Sequence, residues 1–198
     1  MSKKQLIGIG NQKMGPQVMT FSLPAVKTCK PSKWCLEGKN GKPRCYALRG
    51  RLTWHNVVAA CERRYEASKQ DDFVDRMVGE IKKAHRPYFR IHVSGDFYSP
   101  QYVEKWIEIA KRCPEVLFRT TTRRWDFVGP IQRLNRLPNV SVRESVDPSR
   151  PRGVMDLRLA AAGVYDHRRK AIMCPDDCEK CGHKCWWETD KDEVFEEY

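Results

Sequence analysis

The sequence predicts an α/β fold: a partial (βα) barrel with mostly parallel strands, followed by a C-terminal cysteine-rich module. Short β-rich runs alternate with segments of helical periodicity over residues 18–147, which is typical of a parallel sheet with crossover helices. Polar and cysteine residues follow these runs, at the strand ends where such sheets place their sites. Both observations favour a site-bearing parallel sheet.

The chain has 198 residues, enough for one domain with a sizeable core, and its composition predicts three parts. Residues 1–150 are expected to form the barrel, including a cysteine loop at residues 28–50. Residues 151–187 are expected to form a metal-binding cysteine-rich module packed on the barrel. Residues 188–198 are an acidic tail that either folds back on the basic body or stays disordered.

The first barrel elements are a strand and two helices. Residues 18–23, VMTFSL, alternate as a strand that ends at Pro24. Residues 53–85 have a helical pattern that breaks near Asp71, where Asp71 or Asp72 can cap the second helix. The cysteine loop lies between the strand and these helices.

The next unit is a strand, YFRIHVSGDF, followed by a helix. Ser99 is expected as the helix N-cap and Pro100 as its first residue. Its apolar residues share one helical face: Tyr102, Val103, Trp106, Ile107 and Ala110.

Two further strands are predicted from EVLFRTTTRRW and NVSVRESVD, separated by a short helix that is kinked or starts at Pro130. The segment VMDLRLAAAGVY fits a strand or a helix. The sheet is therefore expected to have four or five strands.

Composition limits the function classes. No apolar run approaches the roughly 18 residues of a membrane span, and the N-terminal residues lack the apolar core of a secretory signal, so we expect a cytoplasmic chain without a membrane partner. The net charge of +12 favours a polyanionic partner, of which nucleic acid is the commonest; a basic surface without a specific partner is the alternative. Protein partners are not predicted. Phosphate-cradling glycine loops, HExxH and GxSxG are absent.

Seven of the nine cysteines form two clusters, and in a reducing compartment clustered thiols indicate metal binding or catalysis. Cys61 and Cys113 stand alone and are expected as buried thiols. The C-terminal cysteines have the spacing C-x3-C-x2-C-x3-C: Cys174, Cys178, Cys181 and Cys185. This close spacing favours an iron–sulfur cluster, with zinc as the alternative, in which His183 could replace one cysteine.

The loop cysteines, Cys29, Cys35 and Cys45, are separated by five and nine residues. Three thiolates on a four-iron cluster leave one iron open to a ligand, whereas a closed site needs four. The fourth ligand can instead come from the C-terminal cysteines. The sequence therefore predicts one or two 4Fe-4S clusters.

The segments GNQKMG…TFSLPAVKTC, CYALRG and RIHVSGDFYS resemble the phage and mobile-element family called gene product eighty-eight. A strand followed by a three-cysteine loop, and a second strand ending in Ser94-Gly95-Asp96, also resembles the front half of radical S-adenosylmethionine enzymes. The cysteine gaps are longer here than in that superfamily, and the tripeptide matches its glycine-rich acidic motif in part.

The radical S-adenosylmethionine resemblance implies site roles. Ser94, Gly95 and Asp96 would bind the methionine moiety of S-adenosylmethionine beside the cluster. Asp96, Arg123, Arg124 and Glu144, with Asp147, would form the catalytic and positioning set. For Asp96 the alternative is a turn cap, and for the two arginines a solvated edge.

A second hypothesis is a non-enzymatic module that binds nucleic acid and carries structural zinc or a redox-sensing cluster. Basic residues between aromatic ones, as in RGRLTWHN and RTTTRRW, would contact phosphates and stack on bases. Whether the chain is an enzyme is left open between these two hypotheses.

Overall fold

The computed structural model describes residues 4–164 and 170–195. One mostly parallel sheet organises these residues, and its eight strands have the order β1-β2-β3-β4-β5-β6-β8-β7. The strands are β1 (Gly8–Ile9), β2 (Val18–Thr20), β3 (Tyr88–Arg90), β4 (Leu117–Thr122), β5 (Val140–Val146), β6 (Arg158–Ala162), β7 (Ala171–Met173) and β8 (Asp192–Phe195).

Strand β1 pairs antiparallel with β2, and all other neighbours in the sheet are parallel. The predicted α/β class with a mostly parallel sheet is confirmed. The described residues contain more strands than the four or five expected, because the C-terminal third of the chain adds β6, β7 and β8 to the same sheet.

The helices are α1 (Lys33–Leu36), α2 (His55–Lys69), α3 (Phe73–Ala84), α4 (Pro100–Arg112), α5 (Val128–Asn135) and α6 (Lys184–Trp187). The predicted break near Asp71 is present, and Asp72 occupies the N-cap position of α3. Helix α5 begins at Val128, so the prediction that it is kinked or starts at Pro130 was wrong by two residues. Pro130 fits the first turn because N–H groups there have no intrahelical acceptor.

Helix α4 has the N-cap residue and the first helical residue that the sequence predicts. Ser99 is the N-cap, its Oγ accepts a hydrogen bond from the Tyr102 N–H at 3.1 Å, and Pro100 is the first helical residue. Replacing Ser99 with alanine leaves this N–H without its acceptor, so we expect the free energy of unfolding to fall by about 1 kcal/mol. Urea unfolding of the variant beside wild type measures this; an unchanged midpoint would contradict the capping role.

One face of the sheet, here called the helix face, packs against α3, α4 and α5. Trp106 of α4 is fully buried at its centre, with ring centroids 5.5 Å from Phe21 and Phe89 and 6.2 Å from Phe73. Phe118 on β4 continues the same layer. Aromatic burial on this scale accounts for much of the core's stability.

The opposite face, here called the cavity face, is polar. Side chains alternate along strands, so Arg90 and Arg119 follow the apolar Phe89 and Phe118 on the other side. The C-terminal segment covers this face: the Trp186 indole N–H donates to the Phe89 carbonyl at 3.2 Å. The cavity face therefore lies beneath the cysteine-rich segment.

The predicted acidic tail folds back on the basic body over residues 192–195 and forms a strand there. Asp192–Phe195 form β8, inserted between β6 and β7. Glu193 is buried there and forms a salt bridge with Arg119, which is the physical reason that an acidic strand enters the sheet. Residues 196–198, the rest of the predicted tail, lie outside the described residues.

The two edges of the sheet approach each other. The Cys178 N–H donates to the Lys13 carbonyl at 2.9 Å, and the Lys13 ammonium pairs with Asp176. Gly15 has φ of +72°, and a Cβ there would lie 2.7 Å from the Glu179 side chain, so glycine permits this close approach. The residues after β1 are thus tied to the turn after β7, which places the C-terminal cysteines over the strand ends.

Candidate functional site

A cavity of about 670 Å³ lies at the C-terminal ends of the strands, on the cavity face. Its wall contains the loop that follows β2, the end of β3, and the turn that follows β7. All seven clustered cysteines line it: Cys29, Cys35, Cys45, Cys174, Cys178, Cys181 and Cys185. The two sequence clusters therefore share one cavity.

The loop cysteines are positioned by short backbone contacts. The Cys45 N–H donates to the Cys35 carbonyl at 3.0 Å, and Ser32, the N-cap of α1, accepts from the Cys35 N–H at 3.2 Å. Burial, followed by the charges of Asp96, Cys45 and Cys35, raises the pKa of Cys29 to about 12. The three thiols are therefore close enough to act on one another.

The C-terminal cysteines form a second such group. Burial raises the pKa of Cys178 to about 12, followed by the charges of Cys185, Cys181 and Cys174. Within this turn the His183 N–H donates to the Cys178 carbonyl at 2.9 Å. Three plus four cysteines therefore line one cavity, and both predicted arrangements, two separate sites or one shared site, stay predictions.

The nine cysteines are all free thiols. Raised pKa values hold five of the clustered thiols protonated, those of Cys29, Cys45, Cys174, Cys178 and Cys185, and a bound metal cation would reverse this by stabilising thiolates. Within residues 4–164 and 170–195, no three His, Cys, Asp or Glu side chains have the arrangement that holds a single metal ion. Sulfurs on one zinc must lie about 3.8 Å apart, whereas ligands of a four-iron cluster bind separate irons and are spaced more widely.

Ser94, Gly95 and Asp96 line the same cavity beside the loop cysteines. Gly95 has φ of +83°, and a Cβ there would lie 2.6 Å from atoms of both Leu23 and Thr28. Ser94 Oγ donates to the Leu23 carbonyl at 2.8 Å. The tripeptide therefore packs tightly against the root of the cysteine loop.

The Asp96 carboxylate is buried and already engaged. It accepts hydrogen bonds from the Thr122 hydroxyl at 2.8 Å, the Arg123 N–H at 2.9 Å and the Phe97 N–H at 2.7 Å. Burial raises its pKa to about 6, against the lowering effect of these bonds. Asp96 thus links the ends of β3 and β4, in agreement with the turn-cap alternative, while its cofactor-binding role stays a prediction.

The other predicted catalytic residues are dispersed. Arg123 lines the cavity, and its guanidinium pairs with the buried Asp147. The Arg124 guanidinium bonds Asp126 and the Phe97 carbonyl, while Glu144 accepts from the Val154 and Met155 N–H groups at 2.8 Å. Among the described residues, Arg124, Glu144 and Asp147 do not contribute to the cavity wall.

His92, before the tripeptide, is buried among aromatic rings, with Nε2 3.0 Å from the Tyr102 hydroxyl. Burial, followed by the charge of Arg90, lowers its pKa from 6.5 to about 3. Between pH 6.5 and about pH 3 His92 binds a proton in the unfolded chain but stays neutral in the folded chain, so the free energy of unfolding decreases as the pH falls.

We expect His92→Asn, which tolerates the positive φ of 60° at this position, to remove this pH dependence. The loss of unfolding free energy between pH 7.5 and pH 4.5 should shrink by about 2–3 kcal/mol relative to wild type. Urea titrations at the two pH values measure it. Equal losses in both proteins would contradict the neutral, buried state of His92.

Sequence reasoning missed two cavity-lining residues, Arg90 and Arg119, although their strands were predicted. The signal was present: in YFRIHV and LFRTTT an arginine follows a buried phenylalanine, and alternation places it on the opposite face.

A family model described as Gene product 88 matches residues 2–192. The chain belongs to the gene product 88 family. Two relatives are the Gene 88 proteins of Mycobacterium phage L5, 29% identical over 144 residues, and of Mycobacterium phage D29, 28% identical over 144 residues. In each case the match covers 72% of this chain and 59% of the relative.

This membership confirms the predicted gene product eighty-eight resemblance, and this member spans about three fifths of the length of its curated relatives. No solved structure matches the chain, so the radical S-adenosylmethionine resemblance and the barrel receive no support from a structural neighbour. In the described part of this gene product 88 protein, no helix has the length and apolarity needed to span a membrane.

Proposed function

We propose that this gene product 88 protein is an iron–sulfur protein that acts on a ligand held in its cavity. In this proposal the loop cysteines bind one 4Fe-4S cluster and the C-terminal cysteines bind a second. One observation carries the proposal: seven free thiols from two distant segments line one cavity, and the thiols within each segment lie close enough to influence one another's pKa.

Physical chemistry favours a metal in these groups. Each added thiolate raises the pKa of its neighbours, so several buried thiols together are stable as ligands only with a compensating cation. Disulfides are unlikely partners in a reducing compartment. An iron–sulfur cluster is the group we propose for these thiols, with zinc as the alternative.

The two groups suggest different roles. Four cysteines complete the coordination of a cluster, whereas three leave one iron available to a ligand in the cavity. When bound, such a cluster supplies an electron and a coordination site to that ligand. Ser94, Gly95 and Asp96 lie at the loop cysteines, so S-adenosylmethionine is the first candidate ligand to test.

The chemistry of this first group is tested by spectroscopy. We expect the anaerobically purified protein, once reduced, to give an electron paramagnetic signal that changes on adding S-adenosylmethionine, with 5′-deoxyadenosine formed. A variant of the loop cysteines should keep a signal from the second group but lose the response. A signal that S-adenosylmethionine leaves unchanged would rule out the radical-enzyme version while leaving the clusters in place.

A second candidate function, nucleic-acid binding, is favoured by cations placed over exposed tryptophans. The Lys30 ammonium lies 3.4 Å from the ring centroid of Trp125, and the Arg51 guanidinium lies 5.8 Å from that of Trp54. Phosphate contacts release counterions, so binding of labelled single strands should weaken steeply between 50 and 200 mM salt, on the order of ten-fold or more. Binding that does not respond to salt would contradict this candidate.

A further inference from the structure

Arg90 is a buried arginine on the floor of the cavity, and no carboxylate of residues 4–164 or 170–195 pairs with it. Its side chain lies on the cavity face, and the residue is 8% exposed. One terminal nitrogen, Nη2, donates to the Thr121 hydroxyl at 3.0 Å. The other, Nη1, is buried and has no hydrogen-bond partner in the described part of the chain. The Thr121 bond fixes the guanidinium and leaves its second arm free.

The two neighbouring arginines of the cavity face differ from Arg90 in this respect. Arg119 forms a buried salt bridge with Glu193. Arg143 donates to the Ser141 hydroxyl at 2.7 Å and to the carbonyls of Cys185, Lys191 and Glu188 at 2.7, 3.3 and 3.0 Å. Both have structural partners, whereas the described residues offer the Arg90 guanidinium one neutral hydroxyl, that of Thr121.

A guanidinium in this setting needs an anion. Its charge is always present, and burying an unpaired charge costs several kcal/mol. Arg90 acts on the C-terminal cysteines behind other cations: Arg143 is the first charge acting on Cys185 and Lys13 the first acting on Cys174, and Arg90 follows in both cases. Its Nη1 still has a free donor that faces a group entering the cavity.

The rest of the wall indicates the kind of molecule that enters. Arg44, Arg49 and Arg51 lie on the cysteine-loop side of the cavity, and within the described ranges no carboxylate pairs with them. Apolar side chains fill the wall beside them: Met14, Val26, Leu48, Leu52 and Val57. A volume of about 670 Å³ is in the range of small-molecule sites. The wall therefore favours an apolar or aromatic body carrying a negative group.

We propose that Arg90 binds the carboxylate or phosphate group of an organic anion of up to nucleotide size, whose apolar or aromatic body lies against the cavity wall. This inference deepens the proposed function, because it names the ligand class of the same cavity. It depends on the free arm of Arg90 and on the cavity, and it does not require that the thiols hold iron.

Matched ligand pairs test the proposal on the full chain as purified. Adenosine 5′-monophosphate is compared with adenosine, and N-acetylphenylalanine with its amide, by isothermal titration at constant ionic strength. We expect at least one charged member to bind about ten-fold more tightly than its neutral partner. The pair that shows the preference distinguishes phosphate from carboxylate. Equal affinities within both pairs would overturn the proposal.

Two variants test whether the preference for the charged ligand depends on Arg90. Arg90→Gln should abolish the advantage of the charged ligand, while Arg90→Lys, which keeps the charge but loses the planar fork, should retain part of it. Arg86→Gln, at an exposed arginine just before β3, is the matched control and should bind as wild type does. An unchanged preference in Arg90→Gln would overturn the proposal.

Metal analysis of the same samples separates this inference from the proposed function. Iron content should be equal in wild type and Arg90→Gln; loss of iron in the variant would assign Arg90 to the metal site and overturn the ligand role. A wild-type protein without iron that still prefers the charged ligand through Arg90 would contradict the iron–sulfur proposal and support this inference.

Discussion

Replacing Cys29, Cys35 and Cys45 together with serine is expected to remove about four irons per chain and to leave the C-terminal cluster in place. The two groups act on their own members in the structure, with Cys35 and Cys45 acting on Cys29, and Cys174, Cys181 and Cys185 acting on Cys178. Iron and labile sulfide are measured in anaerobically purified protein. The variant in which the four C-terminal cysteines are replaced with serine should lose the other four irons and keep those held by the loop cysteines.

Cys61→Ala is the matched control, because Cys61 is a buried thiol on α2 that does not belong to the cavity wall described here. Its iron content should equal that of wild type. Loss of all iron in both group variants would indicate one shared cluster, and the account of two sites would then be wrong.

Replacing Arg143 with methionine is expected to lower the free energy of unfolding by about 2–3 kcal/mol. The residue is fully buried, and its guanidinium joins β5 to the backbone carbonyls at Cys185, Glu188 and Lys191. Methionine fills similar volume but removes the guanidinium donor from the buried Cys185 carbonyl and from the part-buried Lys191 and Glu188 carbonyls, of which the last keeps the Lys191 N–H. Urea unfolding of metal-loaded protein measures the change.

Arg158→Met provides the control, since Arg158 is exposed on β6 and pairs with Arg143 in the sheet register. Its midpoint should shift by less than about 0.5 kcal/mol. Similar losses in the two variants would contradict the role assigned to Arg143 in holding the C-terminal cysteines over the sheet.

Local signals in the sequence were sufficient for the elements that face the helices. Ser99 and Pro100 set the start of α4 because an N-cap hydroxyl and a proline act within one turn. The break at Asp72 is likewise local. Strands such as LFRTTT were found because β-branched and aromatic residues form a continuous run.

The C-terminal strands could not be predicted from the sequence, because they form through pairing with distant segments. The sequence of strand β8 has the composition of an acidic tail. Its place in the sheet depends on the salt bridge between Glu193 and Arg119, which lies 74 residues away in sequence. Strand β7 is three residues long and is defined by its pairing with β8. Such contacts are invisible to periodicity, since they depend on the partner and not on the segment.

The candidate site shows the same division. Parallel sheets gather polar groups at the ends of their strands, and this rule predicted that Asp96 lies beside the loop cysteines. In the structure both line the same cavity. Glu144 was placed in the site by the same rule, but it follows Arg143 on β5, and alternation turns it to the opposite face, toward Val154 and Met155. Adding the two-residue period to the strand-end rule would have replaced Glu144 with the arginines of the cavity face.

The central claim, that the cavity holds iron–sulfur clusters, is tested most directly by the metal content of wild-type protein purified without oxygen. The account predicts a brown protein with about eight irons and eight labile sulfides per chain. A colourless protein with stoichiometric zinc, or with no bound metal, would contradict it.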